Sequence, residues 1–148
     1  FNWLLDTTEG CPKTKAMSWK KNEDSLFEHL KDNYIPDLEW SEGEYNHYDC
    51  YSLSLECDIE LKCRNKHYDD LLIEKAKYDK LIARAKKHLT IPVYISQTPN
   101  GIYAFNLASI SQPIWETRGM PKTSHFNQRQ FIDKVVGYLD IKYAKNYA

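Results

Sequence analysis

Asp49, Glu60 and Lys62 are the residues whose types and spacing suggest chemistry. Glu60 and Lys62 lie two apart in a stretch of alternating character, so both side chains leave the same face of an extended strand. Asp49 lies in an earlier strand-like stretch. If the two strands pair as a hairpin, at about 4.8 Å separation, the two carboxylates converge with a lysine beside them. Two converging carboxylates offer hard oxygen donors to Mg²⁺ or Mn²⁺. Such an ion activates a bound water and neutralises charge on a phosphoryl group. Lys62 would then stabilise the pentacovalent transition state or help place the water. The same residues would also serve as solvent-facing strand charges, with Lys62 as a cross-strand ion partner.

The elements that must position these residues can be read along the chain. Residues 1–21, with Gly10, Pro12 and scattered lysines, read as an irregular arm. Asn22-Glu23-Asp24-Ser25 offers helix N-caps. Leu26, Phe27, Leu30 and Tyr34 follow at helical spacing, and the helix should stop before Pro36. Strands are expected over Tyr45–Leu55 and Cys57–Arg64. In the second, Cys57, Ile59, Leu61 and Cys63 alternate with Asp58, Glu60, Lys62 and Arg64. From Tyr68 to Leu89 the spacing predicts a helix with Leu71, Tyr78, Ile82, Ala85 and Leu89 on one stripe, and Lys75 interrupts that stripe. Ile91–Ser96 and Ile102–Leu107 read as strands around the turn signal Thr98-Pro-Asn-Gly101. Residues 108–124 read as loop and Phe126–Leu139 as a closing helix. The expected fold is therefore α/β, one domain over residues 1–148 with a central mixed sheet flanked by helices in the order α-β-β-α-β-β-α.

Asp49, followed after ten residues by Glu60-Leu61-Lys62, resembles the motif of the PD-(D/E)XK nuclease superfamily. The context agrees: a helix precedes the aspartate strand, a hairpin carries the motif, and a long helix and another strand follow. Ile59-Glu-Leu-Lys-Cys-Arg64, with Ile73-Glu-Lys-Ala-Lys-Tyr78 after it, looks like phage and bacterial members of that superfamily. The resemblance covers residues 24–139 and departs in having no proline before Asp49. It implies a restriction-endonuclease-like core and a Mg²⁺- or Mn²⁺-dependent nuclease, acting on DNA rather than RNA. It implies Asp49, Glu60 and the backbone carbonyl of Leu61 as metal ligands and Lys62 as the catalytic lysine. Glu28 becomes a candidate helix acid near the metal and Lys75 a candidate catalytic group on the following helix. Asp58, on the same strand face as Glu60, is an alternative ligand. Arg64, Lys66 and His67, just past the motif, are candidates for touching phosphate. The alternative is a nuclease-like fold without turnover, a module that binds nucleic acid or protein. A double-strand cutter of this kind would act as a homodimer or inside a larger parent protein, in the cytoplasm of a bacterium or of a phage's host.

The chain has 148 residues, with 20 Lys and Arg against 21 Asp and Glu and a net charge of −1. That near-balance hides a split. Eight acids and no Lys or Arg fall between Asp37 and Glu60, whereas nine Lys and Arg and four acids fall between Leu61 and Thr90. A polyanion binder that also holds a divalent cation needs such a division, and two oppositely biased solvated faces would also produce it. No apolar run approaches the length of a membrane span. Cys11, Cys50, Cys57 and Cys63 form no CxxC pair, so they read as reduced, mostly core thiols of a reducing compartment rather than a zinc site. The chain opens on Phe1, which reads as a fragment, a processed product or a trimmed chain. Tyr45, Tyr48 and Tyr51 flank Asp49 and would serve as stacking or packing rings, and His47 is a possible neighbour of the site.

Overall fold

The structure, a computed structural model, describes residues 22–42, 48–121 and 131–147. Helix α1, Glu23–Asn33, begins where Asn22 accepts a hydrogen bond from the Ser25 N–H at 2.8 Å. Glu23 and Asp24 in its first turn and Lys31 in its last complement the helix dipole. It ends ahead of Pro36, as the sequence predicts.

Three strands then form an antiparallel meander, β1 (Glu39–Trp40), β2 (Asp49–Ser52) and β3 (Cys57–Cys63). Strand β4 (Asp70–Glu74) leads into helix α2 (Lys75–His88), and β5 (Ile91–Thr98) returns parallel to β3. Strand β6 (Gly101–Asn106) pairs with β5 through the expected hairpin, whose last residue, Gly101, has φ +152°. Strands β7 (Glu116–Pro121), β8 (Phe131–Asp140) and β9 (Lys145–Tyr147) complete the fold, with one 3-10 turn at Ile141–Tyr143. The main sheet is mixed and runs β1-β2-β3-β5-β6-β9, and a second, antiparallel sheet runs β4-β8-β7.

The main sheet has a core on each face. Leu26, Phe27 and Leu30 of α1 pack against Cys50, Cys57, Ile59, Leu61, Val93 and Ile95. Tyr78 and Leu81 of α2 share the other cluster with Tyr94, Phe105, Leu71, Ile73 and Leu139, which also seats the second sheet. The alternation along β3 thus sends its apolar residues toward α1 and its charged residues under α2. Asp58 and Glu60 lie in the interior instead of in water, and Lys62 is half-buried.

Four expectations are corrected. The helix predicted from Tyr68 begins only at Lys75, because Leu71 and Ile73 belong to β4 and pair with Leu139 and Gly137 of β8. The closing helix predicted over Phe126–Leu139 is instead strand β8 where the structure describes it, held between β4 and β7. Residues 116–121, read as loop, form β7. Of the strand predicted over Tyr45–Leu55, the described residues form strand at Asp49–Ser52, and residues 53–56 turn the chain. Residues 1–21, Tyr45 and His47 lie outside the described residues. No helix among the described residues is long and apolar enough to cross a membrane.

Candidate active site

Asp49 and Glu60 stand directly opposite each other in the β2–β3 pair. Both are almost fully buried, at 3% and 7% exposure. Their carboxyls are hydrogen bonded to each other. Burial, and then the Asp49 charge, push the Glu60 carboxyl up to about 8, against the pull of Lys77 and Arg84. Two buried acids in contact need a proton or a cation between them, and Arg84 Nη1, 2.6 Å from Asp49 Oδ2, brings one cation to the pair.

Lys62 follows on the same strand face. Its ammonium is held below the ordinary lysine range by desolvation and then by Arg64, while Glu23 and Glu74 act in the opposite direction. Glu23 reaches the end of the motif strand directly, accepting a hydrogen bond from the Cys63 N–H at 2.9 Å. The α1 acid beside the motif is therefore Glu23. Glu28 is exposed in a shallow depression formed by α1 residues.

The α2 lysine whose charge reaches Glu60 and Lys62 is Lys77. Lys75, the candidate from sequence, is bonded to Asp79 at 2.6 Å and lies 5.8 Å from the centre of the Trp115 ring. The Leu61 side chain is in the core and its backbone lies between Glu60 and Lys62.

Arg84, which sequence reasoning passed over, is the most connected cation near the pair. Its Nη1 is 2.6 Å from Asp49 Oδ2, its Nε donates to Asp58 Oδ1 at 3.0 Å, and its Nη2 donates to the Ile59 carbonyl at 3.0 Å. Asp58 also accepts from Thr90 Oγ1 at 2.5 Å and meets His88 Nδ1 at 3.0 Å. Burial works to raise the Asp58 carboxyl, but Thr90, His88 and Arg84 outweigh it and hold it below its ordinary value. Asp58 is thus engaged by the helix.

The three phosphate candidates separate. Lys66 is exposed. Arg64 donates from Nη2 to the Leu72 carbonyl at 2.9 Å. His67 is clipped to Thr98 Oγ1 at 2.8 Å and to Asp69 at 3.4 Å. Cys50 and Cys57 are core thiols, pushed up by burial, Cys57 to about 12, and Cys63 is half-buried.

One signal for the missed residues exists. Lys77, Leu81, Arg84 and His88 fall on one helical stripe, and α2 lays that stripe along the strand face carrying Asp58, Glu60 and Lys62. The donor set fits a hard divalent ion in kind: Asp49 and Glu60 bring two buried carboxyls together, and a bound ion would displace the proton that burial favours on Glu60. Among the described residues no group of three or more His, Cys, Asp or Glu is placed to hold a metal, so the carboxyl ligands would be two. No family model, no curated protein and no solved structure matches this chain.

Proposed function

We propose that this protein is a divalent-metal-dependent nuclease of the PD-(D/E)XK type that hydrolyses phosphodiester bonds of DNA. The observation that carries the reading is the Asp49–Glu60 carboxyl pair, buried in register across two strands with Lys62 on the same face. The order α1, β1–β3, α2, then β5 parallel to β3 supports a restriction-endonuclease-like core, since it places a helix before the motif hairpin and a helix and strand after it.

Bound Mg²⁺ or Mn²⁺ would supply an activated water and neutralise charge on the phosphate. Asp49 and Glu60 would hold it, with the Leu61 carbonyl as the third protein ligand. Lys62 would bond a phosphoryl oxygen as charge develops there. Lys77 adds positive potential on the same side, and Arg84 fixes the Asp49 carboxylate through Oδ2.

Arg84 also favours a second reading. It already supplies a cation to Asp49, as a fold that binds nucleic acid without turnover would tolerate. Calorimetric titration with Mn²⁺ separates the two. The nuclease reading expects the native chain and Lys62→Ala to bind the ion, Asp49→Asn to lose it, and Lys62→Ala to lose cleavage. Absence of binding in the native chain goes against it.

A further inference from the structure

Beyond the end of β3 the surface opens into a cleft of about 860 Å³. One wall is the 64–72 stretch that leaves β3 and enters β4, and the other is the antiparallel β7–β8 pair. Its lining brings Arg64, Lys66 and Arg118 together with two rings that stand largely in water, Tyr68 at 61% and Phe131 at 68% exposure. Asp69 and Asp70 also line it, and Asp69 lies 3.4 Å from His67 Nε2. Arg118 is hydrogen bonded to the Tyr138 hydroxyl on the cleft wall.

We propose that this cleft binds a single-stranded nucleic-acid segment, its bases stacked on Tyr68 and Phe131 and its phosphates at Lys66 and Arg118. The volume lies within the roughly 300–1,000 Å³ typical of ligand sites. Three cations against two acids are too few to hold a duplex through its phosphates alone. Exposed rings add binding only where base faces are free, and a duplex covers its base faces by stacking while a single strand offers them. The cleft also continues the motif strand. Arg64 directly follows the last residue of β3, two residues past Lys62 and about 6.6 Å along an extended chain. A strand lying in the cleft therefore leads toward Glu60 and Lys62. The proposal deepens the nuclease reading by naming its substrate class, and it rests on that reading for the path to Glu60.

The test is fluorescence anisotropy with the full chain in EDTA, where binding is read without cleavage. The probes are a labelled oligothymidylate and a hairpin duplex of equal length at one salt concentration. The single strand should bind at least tenfold tighter. Tyr68→Ala and Phe131→Ala should each weaken it roughly five- to hundredfold. Lys66→Ala and Arg118→Ala should weaken it and flatten its salt dependence by about 0.7 in log–log slope per lost phosphate contact. All four positions are exposed, and an unchanged Tm checks that each variant folds. Equal or tighter duplex binding, or ring variants that bind like the native chain, overturns the proposal. Single-strand binding without metal-dependent cleavage would remove the nuclease reading alone. Cleavage retained with indifferent ring variants would remove the cleft alone.

Discussion

Glu60 keeps its proton to about pH 8, whereas the free side chain loses it near 4.5. The folded value lies above the unfolded one. Between those pH values unfolding releases a proton, so the folded state loses stability as pH rises. Glu60→Gln removes this loss while keeping a side chain that donates to Asp49. The metal-free variant should therefore melt above the native chain at pH 8, by roughly 5–10 °C for about 2 kcal/mol. The gap should close toward pH 4.5. An equal Tm at both pH values would mean that Glu60 is ionised in the fold. Lys62 and Lys75 should separate in the same direction. Lys62→Ala should lower the cleavage rate about 10²–10³-fold, and Lys75→Ala should leave it near native, since Lys75 is spent on Asp79. Asp49, Glu60 and Lys62 were legible in the sequence because strand alternation alone puts the last two on one face. Glu23 was not, and Lys77 left only its place on a stripe with Leu81, Arg84 and His88, because which face of a helix turns toward a strand depends on how the helix is seated.

At the scale of elements, α2 and β3 are joined through charge. Arg84 ties the helix to Asp49, Asp58 and the Ile59 carbonyl. Arg84→Ala would leave two buried carboxylates without their main partner, and should destabilise the fold by about 3–5 kcal/mol in urea unfolding. A loss below about 1 kcal/mol would show that His88 and Thr90 suffice. The second sheet has its own tight point at Gly137, opposite Ile73. A Cβ there would lie 2.6 Å from Pro113 Cβ and 3.0 Å from the Trp115 ring. Gly137→Ala should cost about 1–3 kcal/mol by the same measurement. These elements were the hardest to read from sequence. Phe131, Val135 and Leu139 have helical spacing, yet each lies in a strand whose partners are 116–121 and 70–74. Leu71 fits the stripe of the following helix by coincidence of period. Only the distant pairing of β4 with β8 decides between the two.

At the scale of the molecule, the α/β class and the mixed sheet were legible, because α1, β3 and the β5–β6 hairpin each carry a strong local signal. The second sheet was hidden, since it joins β4 to a strand remote in sequence, and with it the cleft that lies against the end of the motif strand. The resulting architecture buries two acids and sets cations around them, from Lys62 on the strand to Lys77 and Arg84 on the helix. Burial favours the protonated form of Glu60, and under the proposed function a divalent ion would take that proton's place. The measurement that bears most directly on this is cleavage of plasmid and single-stranded DNA by the native chain and Glu60→Gln, in Mg²⁺, Mn²⁺ and EDTA. The account predicts cutting that needs the metal and disappears in Glu60→Gln. Cutting that persists in EDTA or in Glu60→Gln would contradict it.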